Sequence, residues 1–508
     1  MASRFGIKGK LLRVIIDLYT DTTGRAIVND LTTRSFHIYS GVLQGSVLGP
    51  TLFLLYLDDL LEELNESQLG ISIGPFILSV LAYADDVTLP SNVQKNLQRL
   101  LDICYSWSIK NHMNFGFDKC FVVVYNSRTK KQEDLPTFRF GGTKSCPNFL
   151  DTFYPEDAPE LYLGFNITDR IARTKLDSSE MLSHSIVPKY RRKPNTEYLK
   201  LIKSRFMRAR NGTHQLCSNK AILTPSISTR LYKTLQRSTL LYALEFGDWD
   251  LDQIHELEIL QAKALRTCLN ADLQCPHASL RLFSGVEPLE ARRDLHTLLY
   301  YAKLSGYDKA SFPSMVHRTR TTNRSMPVGF HCSVHRILRK YGLELYLYNI
   351  PNVPHNELIS TLKKPIWLHH WLKDVAACSL RDSPFSIAFV RHAIHPTYPY
   401  KAGHFMNRVT PKDIPNTERA SLLRFWMTPS RQRTCICDST TSNLAKHLTF
   451  ECSQTRDSMA LFLLELPPKL RASITSSTFP IFLKRIAGSP ELLESFNRVA
   501  CKFDYPRH

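Results

Sequence analysis

The spacing of hydrophobic and polar positions changes several times along the chain. LLRVIIDLY (11–19) carries apolar residues at helical spacing, and FHIYSGV (36–42) reads as a strand entering a glycine turn. TLFLLYLDDLLEEL (51–64) predicts a helix. ILSVLAYA (77–84) and VTLP (87–90) flank two acids, which predicts a β-hairpin with Asp85 and Asp86 at its tip. FVVVY (121–125) and, after a polar loop, LYLGFNI (161–167) suggest a further strand pair. From about residue 176 helical spacing takes over and includes LEILQAKALRTCL (257–269), whereas 301–430 is rich in His, Pro and aromatic residues with an ambiguous period. The expected fold class is α/β followed by a mainly α portion.

Composition narrows this picture. At 508 residues the chain has room for about three domains, and 43% hydrophobic residues suffice for several cores. Its formal charge of +19 points to a polyanionic partner such as nucleic acid, or less readily an anionic membrane surface, and argues against cationic substrates. Charged or polar residues interrupt every apolar run before the roughly 18 to 20 residues needed to cross a bilayer. The 12 Cys are mostly scattered, which suits free thiols in a reducing compartment; the expected location is intracellular, in nucleus or cytoplasm. The basic amphipathic start, MASRFGIKGKLLRVIIDLYT, fits either a mitochondrial presequence or a helix belonging to the fold.

Charge is concentrated at 188–237, where 13 Lys and Arg face the single acid Glu197. KYRRK (189–193) and KSRFMRAR (203–210) set Lys189, Arg191, Arg192, Lys193, Lys203, Arg205, Arg208 and Arg210 beside Tyr190 and Phe206. Such a mixture can neutralise phosphates and stack on bases; a solvated helix face is the plainer reading.

Two adjacent carboxylates between apolar strands repel one another unless a cation neutralises them. Hard carboxylate oxygens suit Mg²⁺ (or Mn²⁺), the ions of two-metal phosphoryl transfer, although Asp-Asp is also an ordinary turn. The upstream GVLQGSVLGP (41–50) favours the chemical reading. Gly41 and Gly45 let backbone approach a nucleotide, and Gln44 offers an amide beside a base.

Together these motifs resemble the reverse transcriptases of non-LTR (LINE-like) retrotransposons. Gly41 to Leu60 is similar to that family's glycine-rich nucleotide-positioning motif, and Tyr83, Ala84, Asp85 and Asp86 to its catalytic [FY]ADD hairpin. The resemblance implies a partial right-hand polymerase palm, a helical thumb, Asp85 and Asp86 as Mg²⁺ ligands, and Tyr83 beside the nucleotide. It further implies Lys119, from the Lys-Cys pair ending LQRLLDICYSWSIKNHMNFGFDKC (97–120), as proton donor to pyrophosphate. Leu161, Tyr162, Leu163 and Gly164 correspond to the primer grip. An RNA template, a DNA primer and deoxynucleotides are the implied partners, with no membrane; nothing indicates the oligomeric state.

The family's first catalytic aspartate lies on a strand upstream of the segment that 5–19 resembles. The expectation is therefore a chain truncated at its N-terminus, with an incomplete active site and impaired polymerase activity. Asp17, Asp58 and Asp59 sit within helical patterns and are no substitute. On this reading 1–175 is the partial fingers and palm, 176–300 the basic thumb with its following helices, and 301–508 a helical C-terminal region. The alternatives are a catalytically inactive nucleic-acid-binding remnant and an intron maturase-like factor.

Finally, Cys435, Cys437, His447 and Cys452 supply three thiolates and one imidazole, a tetrahedral donor set that suits structural Zn²⁺. The Cys-x-Cys gap is tighter than usual, yet the cluster at 435–452 resembles the C-terminal zinc knuckle of the same elements. His369, His370 and His404 fall outside this spacing and read as surface residues, and Cys275-x-His277 is a weaker metal hint.

Overall fold

In the computed structural model the described residues lie in 5–154, 196–308, 311–317, 330–344, 355–379, 383–385, 422–427 and 433–500, apart from isolated positions and short stretches within these ranges. The chain divides into two compact units, one ending near residue 161 and the other running from about residue 170 to 508.

The first unit opens with helix α1 (Gly9–Tyr19) and four two-residue strands. β1 (Thr23–Gly24) pairs antiparallel with β4 (Phe36–His37), and β2 (Ile27–Val28) with β3 (Leu31–Thr32). None of α1 is buried, and Leu11, Val14, Ile16, Ile27, Val28 and Leu31 are exposed. The core begins at α2 (Gly49–Glu66), where Pro50 occupies the first turn and its missing N–H leaves no bond unmade. Leu57, Leu60 and Leu64 recur at helical spacing and are buried.

They share a core with Leu100, Leu101, Cys104 and Trp107 of α3 (Gln94–Lys110). The Trp107 ring meets Tyr56 edge-on at 5.8 Å, and the Tyr56 hydroxyl donates to the Asn111 carbonyl just past α3. Two hairpins lie between these helices: β5 (Ile71–Ile73) with β6 (Phe76–Leu78), and β7 (Leu81–Tyr83) with β8 (Asp86–Thr88). The apolar run 77–84 is thus shared between two hairpins rather than forming one long strand.

A three-stranded sheet follows, in the order β10 (Phe138–Gly142), β11 (Pro147–Phe153), β9 (Phe121–Val123). β11 is antiparallel to β10 and parallel to β9, so Phe121–Val123 is paired with Asp151–Phe153. The expected partner strand, 161–167, lies outside the described residues. The free edge of β10 is closed by Gln98: its amide donates to the Arg139 carbonyl at 2.8 Å and accepts from the Arg139 N–H at 2.9 Å. A side-chain amide here takes the place of a neighbouring strand.

The second unit is helical. α4 (Thr196–Ser218) turns Tyr198, Ile202 and Phe206 inward at intervals of four. After it come α5 (Pro225–Leu231), a π-helical stretch (Tyr232–Gln236), α6 (Arg237–Leu241), α7 (Leu251–Leu269), α8 (His277–Ser284) and α9 (Leu289–Gly306). Gly285 ends α8 in the left-handed conformation, φ 64°, that glycine adopts at least cost. Next are α10 (Phe330–Lys340) and α11 (His355–Ser379), then a short ribbon of β12 (Arg433–Thr434) and β13 (Thr440–Thr441). α12 (Leu444–Phe450), α13 (Arg456–Glu465), α14 (Phe479–Gly488) and α15 (Pro490–Ala500) complete the unit.

One hydrophobic core runs through it from Tyr198 to Ala500 without interruption near residue 300. Two expectations are corrected by this core. Phe206 is fully buried and has no face to offer a base, because its four-residue register with Tyr198 and Ile202 puts it on the apolar side of α4. His370 is also buried rather than at the surface. It sits 2.8 Å from the Tyr341 hydroxyl, which donates to Asp294 at 2.7 Å. No helix among the described residues is long and apolar enough to cross a membrane.

Candidate functional site

The acidic hairpin is closed by the pair Tyr83↔Asp86, which leaves Ala84 and Asp85 as a two-residue turn. Ala84 has φ 53°, whereas Asp85 is not among the positive-φ residues. This is the pattern of a turn that favours glycine at its first central position. An L-residue held there stores about 1 kcal/mol or more, a kind of strain that clusters at functional sites.

Asp85 therefore caps the turn and Asp86 leads β8, with both carboxylates exposed. Tyr83 stands across from Asp86 and is 65% exposed. The next residue, Val87, packs against the core. Burial on one side of β8 thus fixes the ribbon while the tip stays open to a ligand. Side-by-side hard oxygens in open solvent fit a Mg²⁺-type ion.

The glycine turn lies before α2. Gly41 and Gly45 have φ 94° and 79°, and a side chain on either would meet nothing within 4 Å. Their requirement is the left-handed backbone itself. Gly49 is different: a Cβ there would lie 3.1 Å from the Leu43 carbonyl oxygen, so a side chain would require the loop to give by a few tenths of an ångström where it approaches the start of α2. The Ser46 N–H donates to that same carbonyl at 3.1 Å, and the Ser46 hydroxyl accepts from Leu48 N–H at 3.3 Å. Gln44 lies outside the described residues.

Lys119 ends a 3-10 turn (Phe117–Lys119) directly before β9, with its backbone N–H bonded to the Gly116 carbonyl at 2.8 Å and its side chain exposed. Burial pushes up the thiol of neighbouring Cys120, which keeps it neutral. Asp17 is exposed on α1, and Asp58 and Asp59 are half-buried on α2, as the helical patterns predict.

Residues 2–167 match the family of reverse transcriptases (RNA-dependent DNA polymerases). This stretch is a reverse transcriptase domain of the non-LTR kind. The chain is similar to the Retrovirus-related Pol polyprotein from type-1 retrotransposable element R2 of Popillia japonica, 32% identical over 117 residues, which cover 23% of this chain and 19% of that protein. It is also similar to the Retrovirus-related Pol polyprotein from type-2 retrotransposable element R2DM of Drosophila melanogaster, 36% identical over 92 residues, covering 18% and 9%. The matched region spans less than a fifth of either relative. A palm-type polymerase fold follows from the reverse transcriptase domain, as do divalent metal, nucleotide and template-primer as the classes of ligand such domains use.

A second cluster lies in the helical unit. One ligand atom from each of Cys435, Cys437, His447 and Cys452 falls within 4.8 Å of every other. The Cys435 and Cys452 sulfurs are 3.6 Å apart, and Cys437 Sγ is 3.2 Å from His447 Nε2. A tetrahedral Zn²⁺ with Zn–S bonds of about 2.3 Å would set its sulfurs roughly 3.8 Å apart, so the donors are close to ligating distance.

The fold brings them together locally. Cys435 follows β12, and α12 is capped by Asn443, whose side chain accepts from the Lys446 N–H at 3.0 Å and fixes the first turn, which carries His447. Cys452 is tied back to the helix by its N–H bond to the His447 carbonyl at 2.8 Å. Glu451 stands 3.5 Å from His447 Nδ1, as an outer carboxylate does behind a ligating imidazole. Burial, with the nearby Cys452 thiol, pushes the Cys435 thiol up to about 12.

Cys275 and His277 do not belong to any other such grouping of three or more ligands among the described residues. Leu161, Tyr162, Leu163 and Gly164, and Lys189, Arg191, Arg192 and Lys193, lie outside the described residues. On α4, Lys203 is ion-paired with Glu256 of α7, Arg205 and Arg210 are half-buried, and Arg208 is exposed.

Proposed function

We propose that this chain contributes the catalytic hairpin of an RNA-directed DNA polymerase encoded by a non-LTR retrotransposon. The observation that carries this reading is the exposed Ala84–Asp85 turn with Asp86 opposite Tyr83, inside the stretch that matches the reverse transcriptase family. Asp85 is the principal ligand for Mg²⁺ (or Mn²⁺) and Asp86 its neighbour. When bound, such ions activate a primer 3′-hydroxyl and stabilise leaving pyrophosphate.

Around that centre Gly41, Gln44 and Gly45 shape the nucleotide site, Lys119 supplies a proton to pyrophosphate, and Leu161 to Gly164 steady the primer. The basic segment 176–300 serves as the thumb, and its outward cations, such as Arg208, hold template and primer. Cys435, Cys437, His447 and Cys452 hold a structural Zn²⁺ as a knuckle within the 301–508 region.

The test is primer extension on an RNA template with deoxynucleotides and Mg²⁺. It is run with this chain, and with the chain preceded by the aspartate-bearing strand of the related elements. Extension by the longer form that disappears in its Asp85→Ala variant supports the reading. Equal background with and without that substitution overturns it.

A further inference from the structure

The ribbon that carries Asp85 and Asp86 has little burial of its own. All three residues of β7 are exposed, and Val87 of β8 is what packs against the core. Apolar burial has no direction, and a two-stranded ribbon is marginal by itself, so Val87 can hold the ribbon down without setting its tilt. Tilt needs directional contacts where the strands enter and leave.

Both ends meet one corner, Leu69–Gly70, between α2 and β5. On the entering side a Cβ on Gly70 would run into the Leu78 carbonyl and the Ser79 Cα, so backbone rests directly on backbone. Leu78, Ser79 and Val80 are buried, and a close-packed root passes a push along the strand instead of absorbing it. On the leaving side the Ser91 hydroxyl stands 3.2 Å from both the Leu69 and the Val93 carbonyls, which share its single proton. It also accepts from the Val93 N–H at 3.3 Å, and the Val93 carbonyl takes the Leu97 N–H of α3 at 3.1 Å. Ser91 thus ties the exit of the ribbon to the corner and to the start of α3.

The corner is fixed in turn to α2. The Ser67 hydroxyl donates to the carbonyl of buried Leu64 at 2.6 Å and accepts from the Leu69 N–H at 3.4 Å. At its other end α2 begins with Gly49, the last glycine of the 41–50 turn. One 18-residue helix therefore joins the glycine turn to the corner on which both roots of the hairpin rest. From Ser79 to Asp85 an extended strand reaches about 20 Å, so a tilt of about 3° at the root moves the carboxylates by about 1 Å. A misplacement of that size can cost about 10²-fold in rate.

We infer that Gly70 and Ser91 are positioning residues that clamp the hairpin and set Asp85 and Asp86 against the glycine turn. Their bearing on catalysis rests on the polymerase reading; the clamp itself does not.

The experiment compares the wild type with Ser91→Ala, Ser91→Thr and Gly70→Ala. In the full chain, hydrogen exchange of the 78–91 backbone should quicken in Ser91→Ala and Gly70→Ala and return to the wild-type rate in Ser91→Thr, which keeps the hydroxyl. In the longer, extension-competent form, Ser91→Ala should slow primer extension by about 10- to 10²-fold and raise the Mg²⁺ concentration at half-maximal rate. Ser91→Thr should restore both. Loss of folded protein alone would scale the rate equally at every Mg²⁺ concentration and leave that midpoint unmoved.

Unchanged exchange in Ser91→Ala overturns the clamp. Quickened exchange with an unmoved Mg²⁺ midpoint overturns the positioning role. Neither result touches the polymerase reading, which stands or falls on Asp85→Ala; if that variant extends primer as well as its parent, the positioning role falls with the reading, and exchange still judges the clamp. Ser91→Ala removes a single half-buried hydroxyl, so the test holds even where Gly70→Ala does not fold.

Discussion

The two candidate metal centres are built in opposite ways. At the hairpin, two carboxylates stand in solvent on a ribbon anchored only at its base. At the sulfur cluster, three of the four donors are buried and all four already converge to within 4.8 Å. The first arrangement leaves room for a substrate and for ions that arrive with it. The second closes its donors around one point and leaves no open position, which suits architecture rather than catalysis. What separates them is burial: a buried thiol resists ionising, so Cys435 is held neutral up to about 12 until a cation replaces its proton.

Removing the cation should therefore have the largest effect at the cluster. Structural zinc contributes about 10 kcal/mol or more of apparent folding energy in small zinc domains. A strong chelator, or Cys452→Ser, is expected to melt the ribbon and α12 through α15 well below the temperature at which the metal-loaded chain unfolds. Calorimetry with zinc quantified alongside checks this; a chelated chain that melts unchanged would show that packing alone holds the donors together.

At the hairpin the same manipulation should spare the fold and remove the chemistry. Asp85→Asn in an extension-competent chain is expected to lower the rate about 10²–10³-fold, the range for losing one preorganised electrostatic group. Its melting temperature should move little, because Asp85 is exposed at a turn. A large loss of stability with retained extension would reverse the roles given to the two centres.

Residue patterns mark both candidate centres more readily than their surroundings. Short motifs survive translation into structure because turn chemistry is local: the acids stayed at a hairpin tip and the glycines kept positive φ. Helix α2 is legible because it has one clear apolar stripe. Burial that depends on distant partners was not. Phe206 looked available beside its arginines, but a hydrophobic residue in register with Tyr198 and Ile202 belongs to the core. In α11, Leu362, Ile366, Trp367, His370 and Trp371 are buried on several sides, and Pro365 lies inside the helix, so no single stripe marked it. β10 and β11 pass through RFGG and a proline, which hides their alternation.

A smaller effect distinguishes the helical unit by pH. Burial, followed by the nearby Lys340 charge, holds the His370 imidazole down to about 4 from an ordinary 6.5. The folded state then binds fewer protons than the unfolded one, so stability is fully present above pH 6.5 and falls as the pH drops toward 4. Tyr341 donates its hydroxyl proton to Asp294, so neutral His370 must donate from Nε2 to the Tyr341 oxygen. His370→Gln keeps a donor but cannot titrate. Its stability should therefore be flatter than that of the wild type between pH 6.5 and 4 in denaturant titrations, and parallel curves would refute the assignment.

The smallest expected change tests whether the open ribbon is strained for a purpose. Ala84→Gly removes the conflict between a Cβ and a left-handed backbone, worth about 1–2 kcal/mol. Glycine also frees the unfolded chain, which returns about 0.4–1 kcal/mol of that gain. The net stabilisation should thus lie between roughly zero and 1.5 kcal/mol, read from urea midpoints at constant slope. If Ala84 serves to stiffen the turn that presents Asp85, extension should slow in the glycine variant even as the fold gains stability. A variant that is more stable and equally fast would mean that Ala84 is a local compromise and that Tyr83 and Val87 suffice to aim the carboxylates.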